Sequence, residues 1–228
     1  MESSAIISLN KVSAFHRKKQ VLKGVSLEVS KGEFVYVIGK TGSGKSSLLK
    51  ILYKELAIAG GEAQILGFDL NKIRSSKVPM LRRSLGIVFQ DFQLLSDRSV
   101  EDNLMFVMRS TGWKSKKLMK QQVNETLAQV GLTEANNKFP HQLSGGEQQR
   151  VVIARAMINS PRVILADEPT GNLDPESSKE VMRILTDIAG TGTAVMMATH
   201  DMDIVNQFPS RTLVCHQGVL TEKPHDDQ

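Results

Sequence analysis

The chain has 228 residues, 40% of them hydrophobic, enough to bury a substantial core in one domain or in two tightly joined lobes. Its formal charge of +5 is compatible with phosphate binding or an anionic membrane face and demands neither. A single cysteine, Cys215, excludes an intrachain disulfide, and there is no run of about eighteen apolar residues to cross a bilayer. The opening Met1-Glu2-Ser3-Ser4 lacks the basic-then-apolar order of a signal peptide, so a soluble cytosolic chain is expected.

Ile6–Leu9 and Val25–Val29 alternate apolar and polar residues as half-buried strands do, and the basic, turn-rich stretch between them predicts an antiparallel start. Phe34–Ile38 is a continuous apolar run of strand length, expected to be buried on both faces. It runs into a glycine-rich loop, after which Ser46–Leu56 reads as a helix. Leu85–Phe89, Val163–Ala166 and Ala194–Ala198 are further buried-strand candidates. Strands separated by helical patterns predict an α/β fold with a largely parallel sheet.

Between Gln90 and Ser160 helical patterns replace strand patterns, as in Gln121–Val130, which Gly131 closes as a C-terminal cap. This segment reads as a helical lobe, about 91–160, inserted into an α/β lobe formed by about 1–90 and 161–221. The polar end from Glu222 to Gln228 is expected to fray. Basic residues gather at His16-Arg17-Lys18-Lys19 and at Lys114, Lys116, Lys117 and Lys120. They read as solvated faces, since no aromatics interleave with them as a nucleic-acid surface requires.

The chemistry begins at Gly39-Lys40-Thr41-Gly42-Ser43-Gly44-Lys45-Ser46, which fits G-x-x-x-x-G-K-[ST] and has the required strand before and helix after. Its glycines allow backbone N–H groups to converge on phosphate oxygens, and the following helix points its positive end at the same anion. Lys45 is placed to reach the β- and γ-phosphates, and Ser46 to ligate Mg²⁺. Downstream, the apolar strand Val163–Ala166 ends in Asp167-Glu168, where open α/β sheets bind ligands. Asp167 is expected to hold Mg²⁺ and Glu168 to polarise the attacking water. Leu143-Ser144-Gly145-Gly146-Glu147 is ambiguous alone. It is either a second anion-binding helix start or an ordinary capping box.

Together with Gln90, Asn172-Leu173-Asp174 and His200, in this order and spacing, these motifs make the chain resemble the ATP-binding cassette ATPases over almost its whole length. The resemblance implies a P-loop NTPase (RecA-like) core with an antiparallel β portion and an inserted helical signature lobe. It also implies a homodimer that closes head to tail over two ATP molecules. Ser144, Gly145, Gly146 and Glu147 then cap the γ-phosphate bound to the opposite chain. On the same basis Gln90 touches Mg²⁺ and the water, His200 contacts the γ-phosphate, Asp174 sits at the dimer seam, Ser47 joins the nucleotide-binding set and Phe15 stacks on adenine. Departures from the family pattern are Glu147 in place of the more frequent glutamine and Phe15 in place of tyrosine.

The run Leu165-Ala166-Asp167-Glu168-Pro169-Thr170-Gly171-Asn172-Leu173-Asp174 is typical of the branch that holds lipoprotein-releasing, MacB-type and FtsE-type ATPases. Phe89–Asp91, Leu94–Asn103, Phe139–Arg150 and Ala198–Asp201 are most similar to the FtsE type. That similarity implies an integral membrane partner resembling FtsX, regulation of cell-wall hydrolases in cell division, and a peripheral position on the cytoplasmic face of the inner membrane. The alternative is the ATPase of a lipoprotein-releasing or MacB-type exporter. No nucleic-acid partner is expected, because the roughly hundred residues between glycine loop and signature carry no heptad run. Leu104–Met108 is expected near the docking site of the partner or within the helical core, and a subset around Phe92–Leu95 is expected to touch a short cytoplasmic helix.

Overall fold

The computed structural model describes residues 5–223, so the expectations for Met1–Ser4 and for 224–228 lie outside the described residues. Two sheets organise the chain. The first, in the order β2-β1-β4-β5, is antiparallel: β1 (Ala5–His16), β2 (Lys19–Ser30), β4 (Gly60–Ile65) and β5 (Phe68–Asp69). The second has six strands in the order β10-β9-β3-β8-β7-β6. Its strands are β3 (Phe34–Ile38), β6 (Leu85–Val88), β7 (Val163–Asp167), β8 (Ala194–Thr199), β9 (Arg211–His216) and β10 (Val219–Glu222). All its pairings are parallel except that of β9 with β10.

The expected strands are all present, and the burial of β3 has a simple cause. It lies between β8 and β9, and every one of its residues is buried. Its side chains alternate between two cores, as the period of a strand requires. Tyr36 joins Val88, Leu104, Val123, Val151, Leu185 and Met197 on one face. Val35 and Val37 join Ile7, Leu22, Leu48, Ile51 and Met196 on the other.

The helices are α1 (Lys45–Leu52), α2 (Val78–Arg83), α3 (Val100–Ser110), α4 (Lys116–Gln129), α5 (Gly145–Met157), α6 (Pro175–Gly190) and α7 (Met202–Gln207). Side chains of Ser99, Ser115, Ser144, Asp174 and Asp201 accept from the first-turn N–H groups of α3, α4, α5, α6 and α7. From Gln90 to Ser160 there are helices and no strands, and Gly131 follows α4 at φ 70° as a C-terminal cap does. Of the run Leu104–Met108, Leu104, Met105 and Met108 are core, whereas Phe106 is 44% exposed.

Two local expectations are corrected. The first helix ends at Leu52, not Leu56, because Lys54 turns left-handed at φ 58° and the N–H groups of Glu55 and Leu56 both return to the Lys50 carbonyl. Glu222 is not frayed: it pairs with Leu213 in the β9–β10 ladder, and its carboxylate accepts from Arg211 Nε at 2.7 Å.

Candidate active site

The carboxyl ends of β3, β7 and β8 lie side by side, and each delivers part of the site, as expected for an open α/β sheet. β3 leads into the glycine loop and α1, β7 ends at Asp167-Glu168, and β8 ends one residue before His200. The loop after β6 brings Gln90. A cavity of about 510 Å³ is lined by Thr41, Gly42, Gly44, Lys45, Ser46, Ser47, Gln90, Asp167, Glu168 and His200, with His16, Lys19 and Val21 from the β1–β2 hairpin.

The glycine loop needs its glycines. Gly39 (φ 152°) and Gly44 (φ 122°) hold backbone that side chains rarely adopt. A Cβ at Gly39 would overlap the Cys215 carbonyl oxygen, and one at Gly44 would lie 2.8 Å from the Val21 carbonyl oxygen. Beneath the loop, the β9–β10 hairpin supports Ser43. The Gly218 N–H donates to its carbonyl at 2.8 Å, and the Cys215 thiol donates to the same oxygen at 3.3 Å. Burial pushes the Cys215 thiol up from its usual pKa, so it behaves as a neutral packing group.

Lys45 is buried under the loop. Its Nζ donates to the Gly39 carbonyl at 2.7 Å and lies 3.2 Å from Glu168 Oε1. The other Glu168 oxygen lies 2.9 Å from His200 Nδ1 and accepts the His200 backbone N–H at 3.2 Å. Glu168 itself sits at φ 50°, an unfavourable conformation for a side-chain-bearing residue and one that clusters at functional sites. Its backbone N–H is fixed by the Ala198 carbonyl at 2.9 Å.

The Ser46 hydroxyl donates to Asp167 Oδ1 at 3.1 Å. Burial raises the Asp167 pKa, and the Ser46 hydrogen bond works against that rise. A hydroxyl and a carboxylate at this separation form a hard-oxygen pair that suits Mg²⁺, which takes few protein ligands and completes its shell with phosphates and water. Gln90 Nε2 donates to Asn172 Oδ1 at 3.3 Å, which ties the loop after β6 to the turn before α6.

Some expected site residues border a second cavity or lie outside both. Gly39, Lys40 and Thr41 border a neighbouring cavity of about 540 Å³ together with His200 and Met202. Phe15 is 45% exposed at the end of β1, next to the cavity-lining His16 but not itself in the lining. Asp174 caps α6, accepting from the N–H groups of Glu176 at 3.1 Å and Ser177 at 3.0 Å, and the hydrogen bond with Ser177 lowers its pKa.

Ser144, Gly145, Gly146 and Glu147 lie outside the cavity lining at the start of α5. The capping-box alternative is realised in full: Glu147 N–H donates to Ser144 Oγ at 3.2 Å, and Ser144 N–H donates to Glu147 Oε2 at 2.8 Å. That backbone hydrogen bond holds the Glu147 carboxyl below its usual pKa. Gly146 has a packing reason as well, since a Cβ there would lie 2.5 Å from Ser177 Oγ on α6.

His16, Lys19 and Val21 were not legible as cavity residues. The basic stretch reads as a solvated turn, and it is exposed, but the hairpin geometry turns part of it toward the glycine loop.

Comparison with known proteins agrees with this geometry. The ABC transporter family model matches residues 22–171. The chain is 44% identical over 207 residues to the cell division ATP-binding protein FtsE of Streptococcus pneumoniae serotype 2 (strain D39), covering 91% of this chain and 90% of that protein. It is 44% identical over the same length to FtsE of Bacillus subtilis (strain 168), with the same coverage. It also resembles a solved dimeric structure of MJ0796, a bacterial ABC transporter cassette, with a TM-score of 0.85 and 33% identity over 95% of this chain and 97% of the other. The chain belongs to the ABC transporter ATPase family, binds and hydrolyses ATP, and is a homologue of FtsE.

Proposed function

We propose that two copies of this chain close head to tail over two ATP molecules and drive an integral membrane partner resembling FtsX, regulating cell-wall hydrolases during bacterial cell division. One observation carries the dimer. The cavity gathers the glycine loop, Asp167, Glu168, His200 and Gln90, while the Ser144–Glu147 helix start stays outside it. On this reading a single chain presents two halves of different sites, since a helix start that carries Ser and Gly suits a second phosphate. The related MJ0796 cassette has been solved as a dimer, which supports dimerisation here.

Within each site Gly42 and Gly44 direct backbone N–H groups at the phosphates from the loop that Ser43 helps to turn, and Lys45 leaves Glu168 to pair with the β- and γ-phosphates. Phe15, exposed beside the site, stacks on adenine. Ser46, Asp167 and Gln90 would hold Mg²⁺, which would supply charge screening of the phosphates. Glu168 accepts a proton from the attacking water, and His200 orients Glu168 and donates to the γ-phosphate. Ser144, Gly145 and Gly146 of the opposite copy close the site, with Asp174 at the seam.

For the partner, a groove of about 610 Å³ runs between the strand β6 and the helices α2 and α3, lined among others by Phe89, Gln93, Leu95, Phe106 and Val107. Among the described residues no helix is long and apolar enough to cross a membrane. The likeness to FtsE supports attachment through the partner, at the cytoplasmic face. The relatives named for cell division favour this reading over an exporter subunit.

Light scattering of a Glu168→Gln chain tests the shared sites: saturating Mg·ATP should convert it to a dimer, and persistent monomer would count against them. For the partner, Leu95→Asp and Phe106→Asp should abolish co-purification with the FtsX-like protein while ATP binding persists. Survival of that complex, or its replacement by one with an exporter permease, would refute the assignment.

A further inference from the structure

Arg155, near the end of α5, does something that neither the capping of that helix nor the ATP cavity requires. Its guanidinium forks onto two successive carbonyls, donating from Nη2 to Phe92 at 3.1 Å and from Nη1 to Gln93 at 2.5 Å. Gln93 lies at φ 49°, a conformation disfavoured for a residue with a Cβ, and this turn presents both carbonyls to one planar donor. The same segment also passes near the other end of α5. A Cβ on Gly145 would be in ordinary contact with the Phe92 ring at 3.9 Å and with Leu173 at 3.6 Å. Gly145 and Arg155 are roughly 15 Å apart along the helix, at 1.5 Å per residue. The Arg155 side chain leans toward the N-terminus and shortens that gap, so the short segment that passes the helix start is held to the same helix by Arg155.

Gln90, two residues before Phe92, lines the ATP cavity and bonds to Asn172. Gln93 and Arg155 both line the groove on the other side. We propose that Arg155 is a positioning residue that clamps the Phe92–Gln93 turn to the signature helix α5, so that helix, groove and Gln90 move as one body and turnover is set through Gln90. Arg155 touches neither the cavity nor the reacting atoms, and it acts only through the backbone it holds. Two parallel hydrogen bonds to consecutive carbonyls fix orientation as well as distance, which a lysine's point charge does not. The inference rests on the assignment of Gln90 to the reaction.

A double-mutant cycle on the full chain separates the two ideas. Steady-state ATPase would be measured for wild type, Arg155→Ala, Arg155→Lys, Gln90→Ala and the Arg155→Ala/Gln90→Ala pair. Arg155→Ala should lower kcat about ten- to a hundredfold, the scale of a small misplacement of a reacting group, with KM for ATP little changed. Arg155→Lys should fall between, since it keeps the charge and one hydrogen bond. The double variant should be no slower than Gln90→Ala.

If Arg155→Ala costs the same factor in both backgrounds, or leaves kcat intact, the clamp is refuted and Gln90 keeps its role. If Gln90→Ala is as fast as wild type, the assignment of Gln90 fails, and the clamp's action through it fails too. Should Arg155→Ala not fold by circular dichroism, the cycle is run with Arg155→Lys under the same criteria.

Discussion

Lys45 and Glu168 neutralise each other across 3.2 Å at the floor of the ATP cavity, with side chains only 6% and 12% exposed. Two charges this deeply buried are costly to separate unless a replacement partner arrives. A γ-phosphate is such a replacement for Lys45, and the arrangement makes Glu168 a competitor of ATP for the same ammonium group.

That competition gives opposite outcomes for the two residues in nucleotide binding. Lys45→Ala removes a charge-assisted donor and should weaken ATP about ten- to a hundredfold. Glu168→Gln keeps the shape but removes the competing charge, so ATP affinity should stay equal or improve while hydrolysis slows by about 10²–10⁴. Fluorescent-nucleotide titration in Mg²⁺ reads both. Parallel losses of affinity would show that the ion pair organises the site and does not compete for it.

Asp167 makes the site sensitive to pH. Burial raises its pKa in the folded chain, so the folded state holds that proton more tightly than the unfolded state does. The sign follows directly. The associated stability is fully present below the ordinary carboxylate range and is lost as pH rises through the raised folded value. Asp167→Asn should therefore gain in thermal midpoint relative to wild type as pH rises across that window. Mg²⁺ with ATP should narrow the difference by stabilising the ionised wild-type carboxylate. Thermal melts of both chains at several pH values, with and without Mg·ATP, check this, and parallel curves would refute it.

The motifs that were legible are those whose chemistry admits few residue types. A phosphate cradle demands glycine, lysine and serine at fixed offsets, and Asp167-Glu168 follows a strand too apolar to be exposed. The buried strand β3 announced itself because both its faces are covered. The β9–β10 hairpin did not, since Arg211 and His216 bracket a short run that resembles a turn-flanked loop, and its support of the glycine loop comes from the Gly218 N–H and the Cys215 thiol, whose partner across the fold has no sequence signature. The start of α5 was readable as a cap or an anion site, but not the Ser177 contact that forces Gly146 to be glycine. That contact pairs residues from different elements, which one sequence does not reveal.

The backing of the glycine loop by β9 predicts unequal tolerance among its glycines. Gly42 has φ 79° and nothing within 4 Å of an added Cβ, so Gly42→Ala should cost about 1–2 kcal/mol, the penalty of a left-handed residue. Gly39→Ala adds a collision with the Cys215 carbonyl and should cost about 1–3 kcal/mol more. Urea midpoints measured without nucleotide separate this effect from phosphate binding. Equal midpoints would mean that the hairpin yields to the new methyl group.

The position of Ser144 outside the cavity of its own chain gives the sharpest test of shared sites. Lys45→Ala disables the glycine loop of one copy, and Ser144→Arg puts a bulky cation where the other copy offers its helix start. Each variant alone forms dimers in which both composite sites are damaged. In a mixed dimer, one site combines the intact Lys45 of the Ser144→Arg chain with the intact Ser144 of the Lys45→Ala chain. If half the dimers are mixed and one working site suffices, about a quarter of wild-type ATPase activity should return on mixing. The recovery should follow the product of the two chain concentrations and vanish when the chain that supplies the working Lys45 also carries Glu168→Gln. Because Glu168 belongs to the same copy as the working Lys45, only the Ser144→Arg/Glu168→Gln combination should silence the mixture. Silencing by Glu168→Gln on the Lys45→Ala chain instead would place Glu168 and Lys45 in different sites, which contradicts their 3.2 Å contact and the head-to-tail arrangement together.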